Sequence, residues 1–450
     1  MNRLVAILAA GVFLGPFNST MLVLGLRPIA DHFGTSFAGV SWLIIIYLII
    51  LAATQPLAGK MGDIYGRKLL FILGLCLPML AAVLAPLAPS LPALVLVRAL
   101  QALGVALIMP NAMAIVKGAI PSESNRNKAL SVVGTVWAAG ATLGPPAGGI
   151  IVDHFGWQFM FLINLPICLP LVFLALRHIP GGSPERKERL DVPGALLFSG
   201  SLAAFAVAVS LWGTVPDFIS AGLLGLSLAA FLLFMHWEGR TDQPILHPSM
   251  FRNKTLSIAI FMAFLMNFFL YDLALVVPVF LDRILGLRPT VIGILLTVVY
   301  GVFSLVQPAG GYLTTKYGKG LPMVAGSLTL ALGFAGLALV GPGVSLFHLA
   351  LTLSVCGLGL GLGNVAIQNA ALESAPARMA GLVSGLYSLA RHLGSILASS
   401  LLALVTKNLS EVEVFYLILA VTALFSATCG LLLNVRPRPR ASRDGSKAPG

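Results

Sequence analysis

Long apolar runs joined by short polar connections leave this chain few ways to fold. A helix that crosses the hydrocarbon core of a bilayer needs about 20 mainly apolar residues. Such runs occupy 4–27, 38–58, 69–88, 91–116, 129–152, 157–177, 192–213, 217–237, 255–281, 290–312, 321–341, 345–370, 379–405 and 412–434. Each is expected to be helical, because a helix satisfies its own backbone polar groups in lipid. The chain is 58% hydrophobic and 10% charged, against roughly 25% charged in ordinary soluble domains. The expected fold class is an all-α membrane protein with 14 transmembrane helices. Met1 to Ala10 looks like the start of a signal peptide, but the apolar run continues through Leu26 without a cleavage site, so it reads as a retained first span.

A charged stretch interrupts the runs twice. Gly59-Lys60-Met61-Gly62-Asp63-Ile64-Tyr65-Gly66-Arg67-Lys68 returns, altered, as Gly311-Tyr312-Leu313-Thr314-Thr315-Lys316-Tyr317-Gly318-Lys319. Gln55-Pro56 and Gln307-Pro308 precede the two copies at one common offset. Duplicated halves around a midplane site are a common plan for secondary transporters.

The formal charge of +12 is a matter of topology. Lys and Arg concentrate in alternate loops (Lys60, Arg67, Lys68; Lys117, Arg126, Lys128; Arg177 to Arg189; Arg240, Arg252, Lys254; Lys316, Lys319; Arg378) and in the tail after Val435. The opposite loops hold Arg27, Arg283, Arg288 and Lys407. By the positive-inside rule both termini are cytoplasmic. The excess positive charge then meets lipid headgroups, and no nucleic-acid partner is implied.

The runs group as six, two and six. Residues 1–178 form one expected six-helix bundle and 255–435 another. Residues 179–254 hold polar linkers and two inserted apolar spans that read as lipid-facing, and 436–450 a basic tail of disordered composition. Cys76, Cys168, Cys356 and Cys429 lie within apolar runs without metal-site spacing, so reduced, packed thiols are expected and no metal or other cofactor.

The first charged stretch resembles the signature loop of the major facilitator superfamily through Gly59, Gly62, Asp63, Gly66, Arg67 and Lys68. Its glycines permit a tight turn. Asp63 can accept bonds at a facing helix N-terminus and pair with Arg67, forming a conformational latch. The second copy has Thr315 in place of the acid, so its latch is expected to be weaker. Arg98-Ala99-Leu100-Gln101-Ala102-Leu103-Gly104 resembles the family's fourth-helix pattern, with Arg98, Gln101 and Gly104 on one face. Arg98 lies roughly 10 Å into its span. It is expected to face the central cavity and bond first-span atoms, and the resemblance implies a part in proton coupling. Gly140, Gly144, Pro145, Gly148 and Gly149 resemble the motif of the antiporter members, a small-residue packing face bent by proline. Trp157 to Pro166 resembles the start of the sixth span in the fourteen-span drug/proton antiporter branch. The resemblance implies the major facilitator fold: two six-helix bundles plus two central spans in the plasma membrane. Tyr387 to Gly394 also aligns with Trp137 to Gly144.

One departure is chemical. Asn18 stands where that branch usually carries a first-span acid, and asparagine cannot take up and release a proton. Asp272 is the clear acid inside a span, roughly 15 Å from Asp282 along a helix. Arg391, with His392 beside it, lies similarly deep. Embedded ionisable residues point to function, so Asp272 is the candidate titrating group. The alternative is a purely structural pair of Asp272 with Arg391 or Arg98. Asn18, Gln101, Asn267, Tyr271, Asn364, Gln368 and Arg391 are candidate cavity residues.

No Gly-x-x-x-x-Gly-Lys-Ser/Thr phosphate loop, HExxH or GxSxG occurs, so neither ATP-driven transport nor an enzyme is expected. The expected function is efflux of hydrophobic small molecules, cations among them, in exchange for protons, by a monomer. The alternatives are a carrier of anionic or lipid-like molecules, a non-transporting sensor, or uptake by symport.

Overall fold

The computed structural model describes residues 2–180, 191–212, 215–240, 253–341, 343–374, 380–405 and 412–432. The elements are α1 (Asn2–Met21), α2 (Leu26–Phe33), α3 (Phe37–Tyr65), α4 (Arg67–Leu84), α5 (Leu91–Ala119), α6 (Glu123–Phe155), α7 (Phe159–Leu162), α8 (Asn164–His178), α9 (Val192–Leu211), α10 (Asp217–Glu238), α11 (Lys254–Leu285), α12 (Pro289–Tyr317), α13 (Gly320–Ala338), α14 (Leu346–Glu373), α15 (Ala380–Val405) and α16 (Val412–Leu432). A 3-10 turn, Leu22–Gly25, joins α1 to α2. Large apolar side chains point outward, with Leu305 81%, Phe347 78% and Leu332 71% exposed. Water would oppose such a surface and lipid does not.

Among the described residues, 11 helices are long and apolar enough to cross a membrane. The expected spans 129–152, 192–213 and 379–405 coincide with α6, α9 and α15, which fall outside that count. In α6 the cause is its composition: glycines, Pro145 and Pro146, and a polar first turn. α9 itself is 20 residues long and apolar from Val192 to Leu211. The linkers around 181–190 and 241–252, and the tail beyond 432, lie outside the described residues.

The charged stretch expected to be a loop is mostly helix. α3 runs on through Lys60 and Asp63 to Tyr65, and Gly66 alone turns the chain before α4. Gly66 has φ 98°, which glycine adopts without strain. Gly318, at φ 85°, does the same between α12 and α13. Gly34 (φ 59°) and Gly286 (φ 62°) close α2 and α11 at the same offset as Gly66 and Gly318.

Packing repeats with the same period. α1 lies on α6 as α11 lies on α15. α3 and α4 flank α5 as α12 and α13 flank α14. Gly74 and Gly104 bring α4 and α5 together backbone to backbone, a Cβ at Gly74 standing 2.9 Å from the Gly104 oxygen. Gly326 and Gly359 do the same for α13 and α14, at 2.6 Å. Small residues are the usual means of such approach in lipid. The halves meet where α6 packs on α12 and α3 on α15. α9 lies against both α3 and α15, and α10 packs on α9 with its outer face exposed.

Candidate functional site

Cross-half polar contacts lie from mid-height to one end, the end of Arg27. There Arg27 pairs with Asp282 at 2.6 Å, and the guanidinium of Arg283 stacks 4.6 Å from the centre of the Phe37 ring. The Thr290 amide donates to Asp153 Oδ2 at 3.0 Å, and its hydroxyl bonds the same oxygen. Nearer mid-height, Ser19 Oγ and Tyr271 Oη lie 3.3 Å apart, and Thr142 Oγ1 and Ser304 Oγ 3.4 Å. At the opposite end, which carries Asp63, the bonds between the following described residues stay within each half. Lys68 Nζ donates to the Leu176 oxygen at 2.8 Å, and Lys319 pairs with Glu373 at 2.7 Å.

A cavity of about 210 Å³ lies between the halves, extending from mid-height toward the Asp63 end. Ser19, Thr20, Gln55, Trp137, Asn267, Tyr271, Tyr300, Arg391 and His392 are among its lining residues. Of the candidates, Asn267, Tyr271 and Arg391 are brought together here. Asn18, Gln101, Asn364 and Gln368 are not among its described lining residues. Asn364 is half-buried on α14 and Gln368 is exposed.

Asn18 and Gln101 belong instead to a sealed polar cluster inside the first half. Arg98 is 2% exposed. Its Nη2 donates to the Asn18 backbone oxygen at 3.0 Å, Nε to the Leu43 oxygen at 3.3 Å and Nη1 to Gln101 Oε1 at 2.5 Å. Gln101 Nε2 donates to Asn18 Oδ1 at 3.2 Å, and Asn164 Nδ2 donates there at 2.9 Å. The Tyr47 ring lies 4.0 Å from the guanidinium carbon, and its hydroxyl donates to the Gly15 oxygen at 2.9 Å. Arg98 thus bonds the first span, as expected, but it does not line the cavity. An arginine in hydrocarbon costs several kcal/mol unless partnered. Here carbonyls, an amide and a ring partner it, with no carboxylate among the described residues. The amide of Asn18, in place of an acid, both donates and accepts within that network.

Asp272 is 1% exposed and, on the side of α11 turned from the cavity, sits within electrostatic reach of Cys356 on α14 and Tyr416 on α16. Asp272 Oδ2 and Tyr416 Oη have no hydrogen-bond partner among the described residues. Neither Arg98 nor Arg391 pairs with Asp272. The structural ion pair weighed from sequence is therefore not formed, because both arginines bond groups in their own surroundings.

The glycines of α6 serve two neighbours. A Cβ at Gly140 would stand 2.5 Å from the Phe13 oxygen, at Gly144 2.9 Å from the Phe17 oxygen and at Gly148 2.6 Å from the Met21 oxygen, all on α1. A Cβ at Gly149 would stand 2.6 Å from the Pro289 oxygen on α12 of the other half, and one at Gly293 of α12 would stand 2.6 Å from the Pro145 oxygen. Gly394 approaches Phe264 on α11 as Gly144 approaches Phe17 on α1. Asp63 is bonded to Arg67, Nε at 2.9 Å and Nη2 at 2.8 Å, and Arg67 also donates to the Ala114 oxygen at 3.2 Å. Among the described residues Asp63 reaches no helix of the second half. Gly59 and Gly66 flank this pair, Gly59 with open space around it. Thr315 bonds back to its own helix at Gly311.

A family model described as Major Facilitator Superfamily matches residues 8–399 and, in a second match, 256–449. The chain belongs to the major facilitator superfamily. This facilitator is 34% identical over 403 residues to the uncharacterized MFS-type transporter YwoD of Bacillus subtilis, covering 88% of each chain. It is 29% identical to the multidrug resistance protein Stp of Mycobacterium tuberculosis, over 89% of this chain and 76% of that one. It is 27% identical to the riboflavin transporter RibZ of Clostridioides difficile, over 88% of this chain and 86% of that one. Its fold matches a POT family transporter solved with 5-aminolevulinic acid, with TM-score 0.75, 15% identity and 96% of each chain covered. The facilitator is a multi-pass membrane transporter and not an enzyme.

Sequence reasoning missed several residues of this facilitator's interior. Tyr47 and Asn164 complete the Arg98 cluster, and Trp137, Tyr300 and Gln55 line the cavity. The signal for Asn164 was its place as an amide inside an apolar run. Tyrosines and tryptophans inside spans carry no comparable mark, since they also pack as core.

Proposed function

We propose that this facilitator exports hydrophobic small molecules across the plasma membrane by alternating access, in exchange for protons. The supporting observation is that, among the described residues, the cross-half bonds lie at the Arg27 end and at mid-height, above a cavity that extends the other way. With the Asp63 end cytoplasmic, as the Lys and Arg distribution indicates, this is the conformation that receives substrate from the cell interior. The bundles 1–178 and 255–435 rock about the cavity, with α9 and α10 as an insert between them. Relatives named a multidrug resistance protein and, at 29% identity, a tetracenomycin C resistance and export protein of Streptomyces glaucescens support the export direction.

Asp272 is the proton site in this reading. The acid faces the interior of the second half, while Asn267 and Tyr271 on the same helix face the cavity. Taking up a proton repacks α11 against α14 and α16 and moves the cavity wall. Arg98 keeps α1, α3 and α5 together, so that movement displaces one half against the other. Asp63 and Arg67 act as the latch when the Asp63 end closes.

The test is transport by the purified protein in proteoliposomes under an imposed pH gradient. Wild-type flux should follow the gradient, and Asp272→Asn should retain binding while losing that response. Unchanged gradient-driven flux in the variant would remove Asp272 from the mechanism. Flux indifferent to pH in the wild type would remove proton coupling.

A further inference from the structure

Arg391 is held in place by its own surroundings, yet half of its guanidinium is unused. Nε donates to Asn267 Oδ1 at 3.1 Å. Asn267 Nδ2 in turn donates to the Arg391 backbone oxygen at 2.8 Å and to Ser395 Oγ, which itself donates to that oxygen at 3.0 Å. This ring of bonds fixes the fork. Its two terminal amino groups have no hydrogen-bond partner among the described residues, and no described carboxylate pairs with them. The group lines the cavity, as does Asn267. The rings of Trp137 and Tyr387 stand 5.7 Å and 5.9 Å from the guanidinium carbon.

Two pieces of chemistry meet there. A planar arginine fork matches the two oxygens of a carboxylate, and bonds with an ionised partner are about twice as strong as neutral ones. Aromatic walls match a flat conjugated body. A cationic ligand finds the opposite: no acidic residue is among the described lining residues, and Asp272 faces away. At about 210 Å³ the cavity is smaller than the roughly 300–1,000 Å³ of drug-sized sites. We propose that the cavity takes small aromatic carboxylates, with Arg391 docking the anionic group and Trp137 and Tyr300 beside the ring system. The proposal rests on reading this cavity as the transport site.

The experiment compares matched probes on the purified full-length protein: 2-naphthoate, neutral 2-naphthylmethanol and cationic 2-naphthylmethylamine. Equilibrium binding should favour the anion over the cation by at least about tenfold. Arg391→Gln should weaken 2-naphthoate by about 10- to 100-fold, the range for a hydrogen bond to a charged group, and leave the neutral probe unchanged. Arg391→Lys keeps the charge but loses the fork, and should fall between. Cation binding equal to or tighter than anion binding, absent 2-naphthoate binding, or an unaltered anion affinity in Arg391→Gln would overturn the proposal. The wild-type comparison decides even if the variants do not fold. Flux in proteoliposomes separates the two readings. Binding of 2-naphthoate without flux keeps the site and sinks its use in transport. Flux of the cation alone keeps the transporter and sinks the anion site.

Discussion

Arg98 on α5 donates to the backbone oxygen of Asn18 on α1 at 3.0 Å, and a second nitrogen of the same guanidinium reaches the Leu43 oxygen on α3. One side chain therefore ties three helices at a depth where water cannot replace it. Truncation would leave two carbonyls and the Gln101 amide oxygen short of a donor. Arg98→Ala should destabilise the protein by about 1–3 kcal/mol for each buried acceptor left unpaired. Arg98→Lys should recover part of this, since an ammonium cannot span the same three acceptors. Thermal unfolding in detergent reads both, and a melting temperature equal to wild type in Arg98→Ala would contradict this account of the cluster.

The two faces of α6 predict two different phenotypes. Gly144 packs inside its own half, so Gly144→Val should lower thermal stability whichever way the transporter faces. Gly149 meets Pro289 across the halves. Gly149→Val should leave the melting temperature nearly unchanged and instead drive the halves apart at the Arg27 end. Spin labels at positions 31 and 286 would report a longer distance in Gly149→Val and not in Gly144→Val.

The Arg27–Asp282 pair is a weak fastener. Its arginine is 57% exposed, and lone exposed pairs contribute roughly 0.2–1 kcal/mol. Asp282→Asn should shift the balance between conformations by no more than about fivefold, toward opening at the Arg27 end, and raised salt should mimic it in the wild type. Accessibility of a cysteine introduced at position 28 to a membrane-impermeant thiol reagent measures the shift. A complete switch would show that the pair is stronger than its exposure allows.

Asp272 predicts a separation of stability from coupling. Its Oδ2 has no hydrogen-bond partner among the described residues, and a buried polar atom without one costs about 1–3 kcal/mol. Asp272→Leu should therefore melt at or above the wild-type temperature while losing the response of transport to a pH gradient. A large drop in melting temperature would mean the carboxyl has a structural role instead.

The duplication was legible because glycine and proline mark backbone events that recur: Gly66 and Gly318 turn the chain at matching places. The glycines of α6 were legible as packing residues, and so was Arg98 as a partner of the first span. The direction of Asp272 was not. α11 is enclosed on nearly every side, so its apolar residues go all the way round and no stripe tells which way position 272 points. The same ambiguity assigned Asn18 and Gln101 to the cavity, since an amide sealed in a network and an amide facing substrate are spelled alike. Lys60 and Asp63 read as loop because charge ends a hydropathic run, although it need not end a helix.

α9 touches both α3 and α15, the pair of helices along which the two halves abut on one flank. No described helix crosses the other flank, between α6 and α12. Among the described helices the interface is thus shuttered on one side and bare on the other. An amphiphile dissolved among the acyl chains would find its sideways doorway to the hollow only along the bare flank.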